Sequence, residues 1–272
     1  MIDRSTIVVG IDGSDESLNA LKFAQKEAAI RAGSSTLAIV SAFTDSLGLG
    51  RDDDAAPDAL ESLRSRMTEL LGDDSNTVAV IPGEAAHVLA QAAASASLLV
   101  LGKRGSGGFR ELLLGSTVTS CLQIAECPVA VVALGSDAAW NQPIVVGIDH
   151  SLATHRALAW AIDEAAARGV GVTALSAWRT PHLWEPMQGG ASRYHLDAEH
   201  ALSTALERVD AQGVPVTAQS VEGHFVEVLL NASKGMGGLV LGNESHGGGR
   251  IHGHSVAISA VTHASVPVII CP

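Results

Sequence analysis

Cysteine, basic residues and aromatic residues are all scarce in this chain of 272 residues. The three cysteines, Cys121, Cys127 and Cys271, form no Cys-x2-Cys pair, which excludes a disulfide framework and favours a reducing compartment. Only 17 Lys and Arg residues oppose 29 Asp and Glu residues, and the net charge of −12 argues against a nucleic-acid partner, which needs a basic face.

Long apolar runs are missing too. No stretch of about 18 apolar residues occurs, and the first residues contain no apolar signal segment. We therefore expect a soluble, cytoplasmic protein with no membrane partner. The hydrophobic content of 47%, with only 3% aromatic residues, predicts a core of Ala, Val, Leu and Ile, which is typical of buried parallel strands.

The chain contains one pattern twice. The stretch Ile7-Val-Val-Gly10-Ile-Asp12-Gly-Ser recurs as Ile144-Val-Val-Gly147-Ile-Asp149-His-Ser, 137 residues later. The ends of the two copies also agree, since Cys127-Pro-Val-Ala-Val-Val resembles Val266-Pro-Val-Ile-Ile-Cys, and Gly135–Gln142 is predicted to be a linker. We predict two domains, residues 1–137 and 143–272.

Strands and helices alternate in both copies, which predicts a parallel α/β fold. In the first copy the predicted strands are Thr6–Ile11, Leu37–Ala42, Thr77–Ile81, Leu98–Leu101 and Val129–Ala133. The predicted helices are Ser17–Ala32, Ala59–Leu71, Gly83–Ser95 and Thr117–Glu126. In the second copy the predicted helices are Ala153–Arg168, Ala191–Gln212 and His224–Ser233, and the later strands are Gly171–Ala177, Pro215–Val221 and Leu239–Leu241.

The most informative stretch runs from Gly102 to Ser116, and we call it the glycine loop. It reads Gly102-x2-Gly105, then nine residues, then Gly115-Ser116. A glycine-rich connection between a parallel strand and a helix presents backbone N–H groups, and the helix N-terminus adds partial positive charge, which suits a phosphate. The spacing fits neither the P-loop nor the dinucleotide fingerprint, and a plain exposed connection is the alternative.

The glycine loop and the early strand that ends at Asp12 resemble the ATP-binding universal stress proteins, and the repeat extends this resemblance to their tandem form. The resemblance implies an α/β fold of two tandem Rossmann-like, doubly wound, five-stranded parallel sheets with strand order 3-2-1-4-5. In such a sheet the ligand lies where the order reverses, between strands 1 and 4. The implied ligand is ATP, alone or with Mg²⁺.

The resemblance also implies roles for single residues. Asp12 would meet the base or ribose, Val40 would pack against adenine at the end of strand 2, and Gly10 would keep the floor of the site open. The residues assigned to the phosphates and to the loop around them are Gly102, Arg104, Gly105, Ser106, Gly107, Gly108, Gly115 and Ser116. Alternatively, Asp12 is a turn cap and Arg104 a plain surface arginine; Ser116 is expected to cap the following helix as well.

The second copy departs from this pattern. It reads Gly242-x2-Ser245, then eight residues, then His254-Ser255. Gly147, Asp149, Gly242 and Ser255 occupy matching positions, but Ser245 replaces a glycine and Glu244 replaces Arg104, adding a negative charge near the expected phosphates. ATP binding in this degenerate copy stays open. His246, His252 and His254 raise a metal site as a weaker alternative.

No motif for an enzyme nucleophile, a zinc protease or a Walker lysine occurs, and no catalytic residue is assigned. Our leading hypothesis is an ATP-dependent regulatory module in stress survival. The alternatives are a slow Mg²⁺-dependent ATPase or nucleotidyl-transferring enzyme, and an interaction scaffold without nucleotide. The apolar fifth strands favour pairing of the two copies or formation of a homo-oligomer, and the sequence identifies no protein partner.

Overall fold

The computed structural model describes residues 6–31, 35–43, 65, 69, 78–105, 113–136, 139–180, 190–243 and 252–272. The chain divides into two compact units, Met1–Leu134 and Gly135–Pro272. Apart from residues 65 and 69, the predicted helix Ala59–Leu71 lies outside the described residues, as does residue range 181–189. In the described part of the chain, no helix is long and apolar enough to cross a membrane.

The first unit contains one parallel sheet and flanking helices. Its strands are β1 (Thr6–Gly10), β2 (Thr36–Phe43), β3 (Val78–Pro82), β4 (Leu98–Gly102) and β5 (Val129–Val132). Its described helices are α1 (Asp15–Ile30), α2 (Ala85–Ala92) and α3 (Ser116–Ile124). The strands lie in the order β3-β2-β1-β4-β5, and every neighbouring pair is parallel.

The second unit repeats this arrangement. Its strands are β6 (Ile144–Gly147), β7 (Val172–Trp178), β8 (Val216–Glu222), β9 (Gly238–Gly242) and β10 (Val268–Cys271). Its helices are α4 (Leu152–Arg168), α5 (Gly190–Arg208), α6 (Phe225–Ser233) and α7 (His252–His263). The strand order is β8-β7-β6-β9-β10 with parallel neighbours, so the predicted order 3-2-1-4-5 is confirmed in both units.

Small and branched aliphatic side chains explain how each sheet is covered. The central strand β4 is buried along Leu98–Leu101, as a strand covered on both faces must be. Helix α1 packs on the first sheet through alanines and one leucine, and α4 does the same in the second unit; these buried residues are Ala20, Leu21, Ala24, Ala157, Leu158 and Ala161. Alanine allows the helix backbone to approach the strands closely, which places the helix N-termini beside the strand ends.

Helix α2, which borders the candidate site, begins with a carboxylate cap. Glu84 accepts hydrogen bonds from the backbone N–H groups of Ala86 and His87, both at 3.2 Å, and contacts the ring of His87. The hydrogen bond with His87, followed by that with Ala86, lowers the pKa of Glu84. Because the folded state favours the ionised carboxylate, Glu84 stabilises the protein above its unfolded pKa, and this contribution is lost as the pH falls through the folded value.

We therefore expect Glu84→Ala to lower the free energy of unfolding by about 1 kcal/mol at pH 7, and by less below pH of about 4. Urea denaturation at both pH values measures this difference. His224 is the matched control, because it caps α6 in the second unit without a side-chain hydrogen bond. An equal loss from His224→Ala would show that the Glu84 cap contributes nothing.

Candidate functional site

A cavity of about 490 Å³ lies at the carboxyl ends of β1, β2 and β4 in the first unit, and we call it the crevice. This is the point where the strand order reverses, and the volume falls in the range of ligand pockets. Its apolar lining residues are Ile11, Val40, Ala42, Ala85, Leu89, Leu101 and Val118. Its other lining residues are Gly10, Asp12, Ser17, Gly102, Arg104, Gly105, Gly115, Ser116 and Thr117.

Asp12 acts as a turn cap and also faces the glycine loop. Its Oδ1 atom accepts hydrogen bonds from the backbone N–H and the hydroxyl of Ser14, at 3.0 and 2.6 Å. The Ser14 hydroxyl in turn accepts a hydrogen bond from the Ser17 N–H at 3.2 Å and caps α1. The Oδ2 atom of Asp12 is what a Cβ on Gly105 would meet, at 2.5 Å. The two roles weighed for Asp12 are therefore compatible.

The second unit has the same turn. Asp149 Oδ1 accepts hydrogen bonds from the Ser151 N–H at 2.9 Å and from the Thr154 hydroxyl at 2.6 Å. Ser151 accepts from the Thr154 N–H at 3.3 Å and caps α4. An aspartate after the first strand thus caps the following turn in both units, and on its own it does not indicate a ligand.

Two glycines of the first unit are required by packing. A Cβ on Gly102 would lie 2.7 Å from the backbone carbon of Glu16 in α1, so this glycine lets the helix approach the strand end. A Cβ on Gly10 would lie 2.8 Å from a methyl carbon of Leu101 and 3.0 Å from one of Leu89. Gly10 lines the crevice, and its lack of a side chain also serves the packing beneath the crevice.

The second unit repeats both close approaches. A Cβ on Gly242 would lie 2.5 Å from the backbone carbon of Ala153 in α4. A Cβ on Gly147 would lie 2.5 Å from a methyl carbon of Leu241. These glycines are present in both copies because the framework needs them, so they carry no information about a ligand.

Gly105 and Gly115 differ from the framework glycines. Among the described residues, a Cβ on Gly105 would meet only the Asp12 carboxylate. The Gly115 N–H donates to the Lys103 carbonyl at 3.0 Å and closes the glycine loop, and a Cβ on Gly115 would lie 3.4 Å from that same oxygen. The second copy has Ser245 and His254 at these positions. At these two positions of the crevice lining, only the first copy has glycine.

Helix α3 points its N-terminus at the crevice. Its cap residue is Gly115, which makes no side-chain capping bond, and Ser116 is the first helical residue. The prediction that Ser116 caps the helix is therefore wrong, because the chain turns one residue earlier. The first N–H groups of a helix have no partner within the helix, and Ser116, Thr117 and Val118 all line the crevice. This arrangement suits an anion.

Basic side chains lie on the same loop. Arg104 lines the crevice, and its Nη2 atom is 3.3 Å from Oε1 of Glu16. The sequence did not indicate this ion pair. Lys103 is partly buried beside it, and burial, followed by the charge of Arg104, lowers the pKa of Lys103.

Ala42 is a lining residue that the sequence analysis missed. The pairing of β1 with β2 ends where the Ile11 N–H donates to the Val40 carbonyl at 2.9 Å. Strand β2 continues to Phe43 because it still pairs with β3. Val40 was expected at the end of this strand, but it lies three residues before the end. Alternate residues of a strand orient alike, so the N–H and carbonyl of Ala42 point past the end of β1, towards the crevice.

The remaining predicted residues divide between described and undescribed parts of the chain. Gly147 and Gly242 end β6 and β9, Asp149 follows β6, and Ser255 lies in the first turn of α7. Ser106, Gly107, Gly108, Glu244, Ser245 and His246 lie outside the described residues. Among the residues that the structure describes, no group of three or more His, Cys, Asp or Glu side chains could hold a metal ion.

The model of the universal stress protein family matches residues 4–133 and again 141–272. The chain belongs to the universal stress protein family. Two matches in succession, one for each sheet, make it a tandem member of that family, as predicted from the repeat and the glycine loop.

Relatives and solved structures agree with this assignment. A universal stress protein of Mycobacterium tuberculosis (strain H37Rv) is 29% identical over 285 residues, which cover 97% of this chain and 96% of that protein. A second one, from Mycolicibacterium smegmatis, is 33% identical over 186 residues and aligns over 63% of either chain. The crystal structure of a universal stress protein from Archaeoglobus fulgidus superposes with a TM-score of 0.71 at 17% identity and covers 98% of both chains, which shows a shared fold.

Proposed function

We propose that the first unit binds ATP in the crevice, and that the protein is an ATP-dependent regulatory module in stress survival. The observation that carries this proposal is the position of Gly105 and Gly115. Both border the crevice, next to the N-terminus of α3, and neither is needed for the packing that fixes Gly10 and Gly102. Glycines at a strand-to-helix loop let backbone N–H groups approach a phosphate closely.

The other end of the crevice suits a base. Its walls are apolar and small, with Val40, Ala42, Ala85 and Leu89 among them. The backbone N–H and carbonyl of Ala42 provide a donor and an acceptor side by side, which matches the acceptor and donor on the edge of adenine. Asp12 lines the crevice and faces Gly105 of the glycine loop, and we expect the ribose beside it.

The phosphate end suits a polyanion. The N-terminal turn of α3 supplies N–H groups, and the hydroxyls of Ser116 and Thr117 and the guanidinium of Arg104 line the same side. With Mg²⁺ bound to the phosphates, Asp12 could add a ligand, since it is the one carboxylate among the described lining residues. We propose no hydrolytic step, since no general base is identified among the described lining residues.

The proposal assigns one ATP to each chain. In the second copy the positions of Gly105 and Arg104 are occupied by Ser245 and Glu244, which add a side chain and a negative charge where the phosphates would lie. The cytoplasmic location and self-association through the fifth strands stay predictions, which fractionation and sedimentation of the native protein would test.

The test is to purify the full chain, denature it and count the nucleotide released, and then to titrate the stripped protein with ATP. We expect one ATP per chain, and a stabilisation of about 2.7 kcal/mol when ATP is present at 100 times its Kd. Steady release of ADP in the presence of Mg²⁺ would favour the ATPase instead. No released nucleotide and no rise in Tm would favour the scaffold.

A matched pair of substitutions tests the placement of the sugar and base. Asp12→Asn and Asp149→Asn both keep an oxygen that can accept the capping hydrogen bonds, so both variants should fold with a loss of less than about 1 kcal/mol. Only Asp12→Asn should weaken ATP binding, by about ten-fold, because it removes a charged hydrogen-bond acceptor from the crevice. Calorimetric titration measures the Kd for ATP of both variants. An unchanged Kd in Asp12→Asn would contradict this placement of the sugar and base.

A further inference from the structure

One ion pair joins the glycine loop to the start of α1. The Nη2 atom of Arg104 lies 3.3 Å from Oε1 of Glu16, and the two side chains are 46% and 15% exposed. The backbone of Glu16 is fixed by its close packing on Gly102, where a Cβ would lie 2.7 Å away. The acid thus stands on a rigid element, while the longer and more exposed arginine lines the crevice. Glu16 therefore holds a fixed position from which it contacts the guanidinium.

In the second unit both residues of this pair are replaced. Ala153 takes the place of Glu16, because a Cβ on Gly242 would meet the backbone carbon of Ala153 at 2.5 Å. Glu244 stands at the position of Arg104. Acid and base are therefore replaced together, in the same copy that lacks Gly105 and Gly115. The ion pair occurs in the copy that has Gly105 and Gly115, whereas the framework glycines occur in both copies. This distribution indicates a role of the pair in the site and not in the fold.

We infer that Glu16 is a positioning residue that acts through Arg104 on the phosphate chain of the bound nucleotide, an inference that rests on the proposed function. Arginine has five N–H donors, so a guanidinium held by Glu16 through Nη2 can still donate to phosphate oxygens. A free arginine side chain must be ordered when it binds, at a cost in entropy. Because Glu16 already orders Arg104 in the unbound protein, phosphate binding avoids part of that cost.

This role gives Glu16 two opposing effects. As a carboxylate close to the phosphates it repels them, and as the partner of Arg104 it places a cation beside them. With Arg104 present we expect the second effect to be larger. Without Arg104 only the repulsion remains. The effect of Glu16→Gln on ATP binding should therefore change sign when Arg104 is replaced, which a purely structural role would not produce.

The experiment is a calorimetric double-mutant cycle on the full chain, with ATP and adenosine as the two ligands. We expect Arg104→Met to weaken ATP binding by about ten-fold, and Glu16→Gln to weaken it by about three-fold to ten-fold. In the Arg104→Met background, Glu16→Gln should leave ATP binding unchanged or make it tighter. Adenosine should bind all four proteins equally, because it has no phosphate.

Asp15→Asn is the control for charge alone. Asp15 is the exposed neighbour of Glu16 in the first turn of α1, so this variant removes the same charge without touching the ion pair. We expect it to leave ATP binding unchanged or slightly tighter. If Glu16→Gln behaves like Asp15→Asn, or if the losses from Glu16→Gln and Arg104→Met add independently, the inference is overturned. If the unaltered protein binds neither ATP nor adenosine, the proposed function itself fails.

Discussion

Gly105→Glu is expected to abolish the rise in Tm that ATP produces, and to leave the purified protein without bound nucleotide. Even a Cβ at this position would lie 2.5 Å from Oδ2 of Asp12, so a longer side chain must fill the crevice or displace the aspartate. The added carboxylate would also repel the phosphates. At an ATP concentration of 100 times the original Kd, the loss amounts to about 2.7 kcal/mol of stabilisation.

A charge control distinguishes blockage of the crevice from a general effect of an added glutamate. Leu134 is an exposed residue at the end of the first unit, and Leu134→Glu adds the same charge to that unit without entering the crevice. We expect this variant to keep the full shift in Tm. Both variants are measured by thermal unfolding with and without ATP. A shift of normal size in Gly105→Glu would mean that the nucleotide lies elsewhere.

The sheet order could be predicted because short motifs resemble a family of known fold, whereas the alternation of strands and helices alone predicts only a parallel α/β fold. Strand β4 is recognisable as an apolar run before a glycine, and Asp12 marks the turn just after β1. The sequence pattern does not predict helix α7, because its first turn contains Gly253 and histidines, which have low helix propensity. The packing of the unit formed this helix despite its weak local preference.

The division among the glycines could not be predicted from the sequence. Gly102 and Gly105 occupy neighbouring positions of one motif, yet a Cβ would meet the backbone of α1 in the first case and the Asp12 carboxylate in the second. What each glycine faces depends on how a distant segment packs. The contact between Glu16 and Arg104 could not be predicted for the same reason. The backbone of Ala42 faces the crevice only because β1 ends before β2 does.

Arg168→Met is expected to cause the largest loss of stability, about 3 to 5 kcal/mol. The Nε atom of Arg168 lies 2.6 Å from Oε1 of Glu164, and the two side chains are only 2% and 0% exposed. The guanidinium also donates to the Gly237 carbonyl at 3.0 Å and lies 4.2 Å above the ring of Trp140. The substitution removes the charge partner of a buried carboxylate, which costs far more than the pair itself contributes. Urea denaturation measures the loss.

The first unit provides the matched control, because Glu27 and Arg31 occupy the corresponding positions at the end of α1. Their closest atoms are 4.0 Å apart, and Arg31 is 21% exposed, so water can reach the cation. We expect Arg31→Met to cost less than Arg168→Met for that reason. The double variant Glu164→Leu with Arg168→Met should regain most of the lost stability, because an apolar pair has no charge left to compensate. If the double variant is as unstable as Arg168→Met alone, the loss comes from the contacts with Trp140 and Gly237 and not from removal of a charge partner of the buried Glu164.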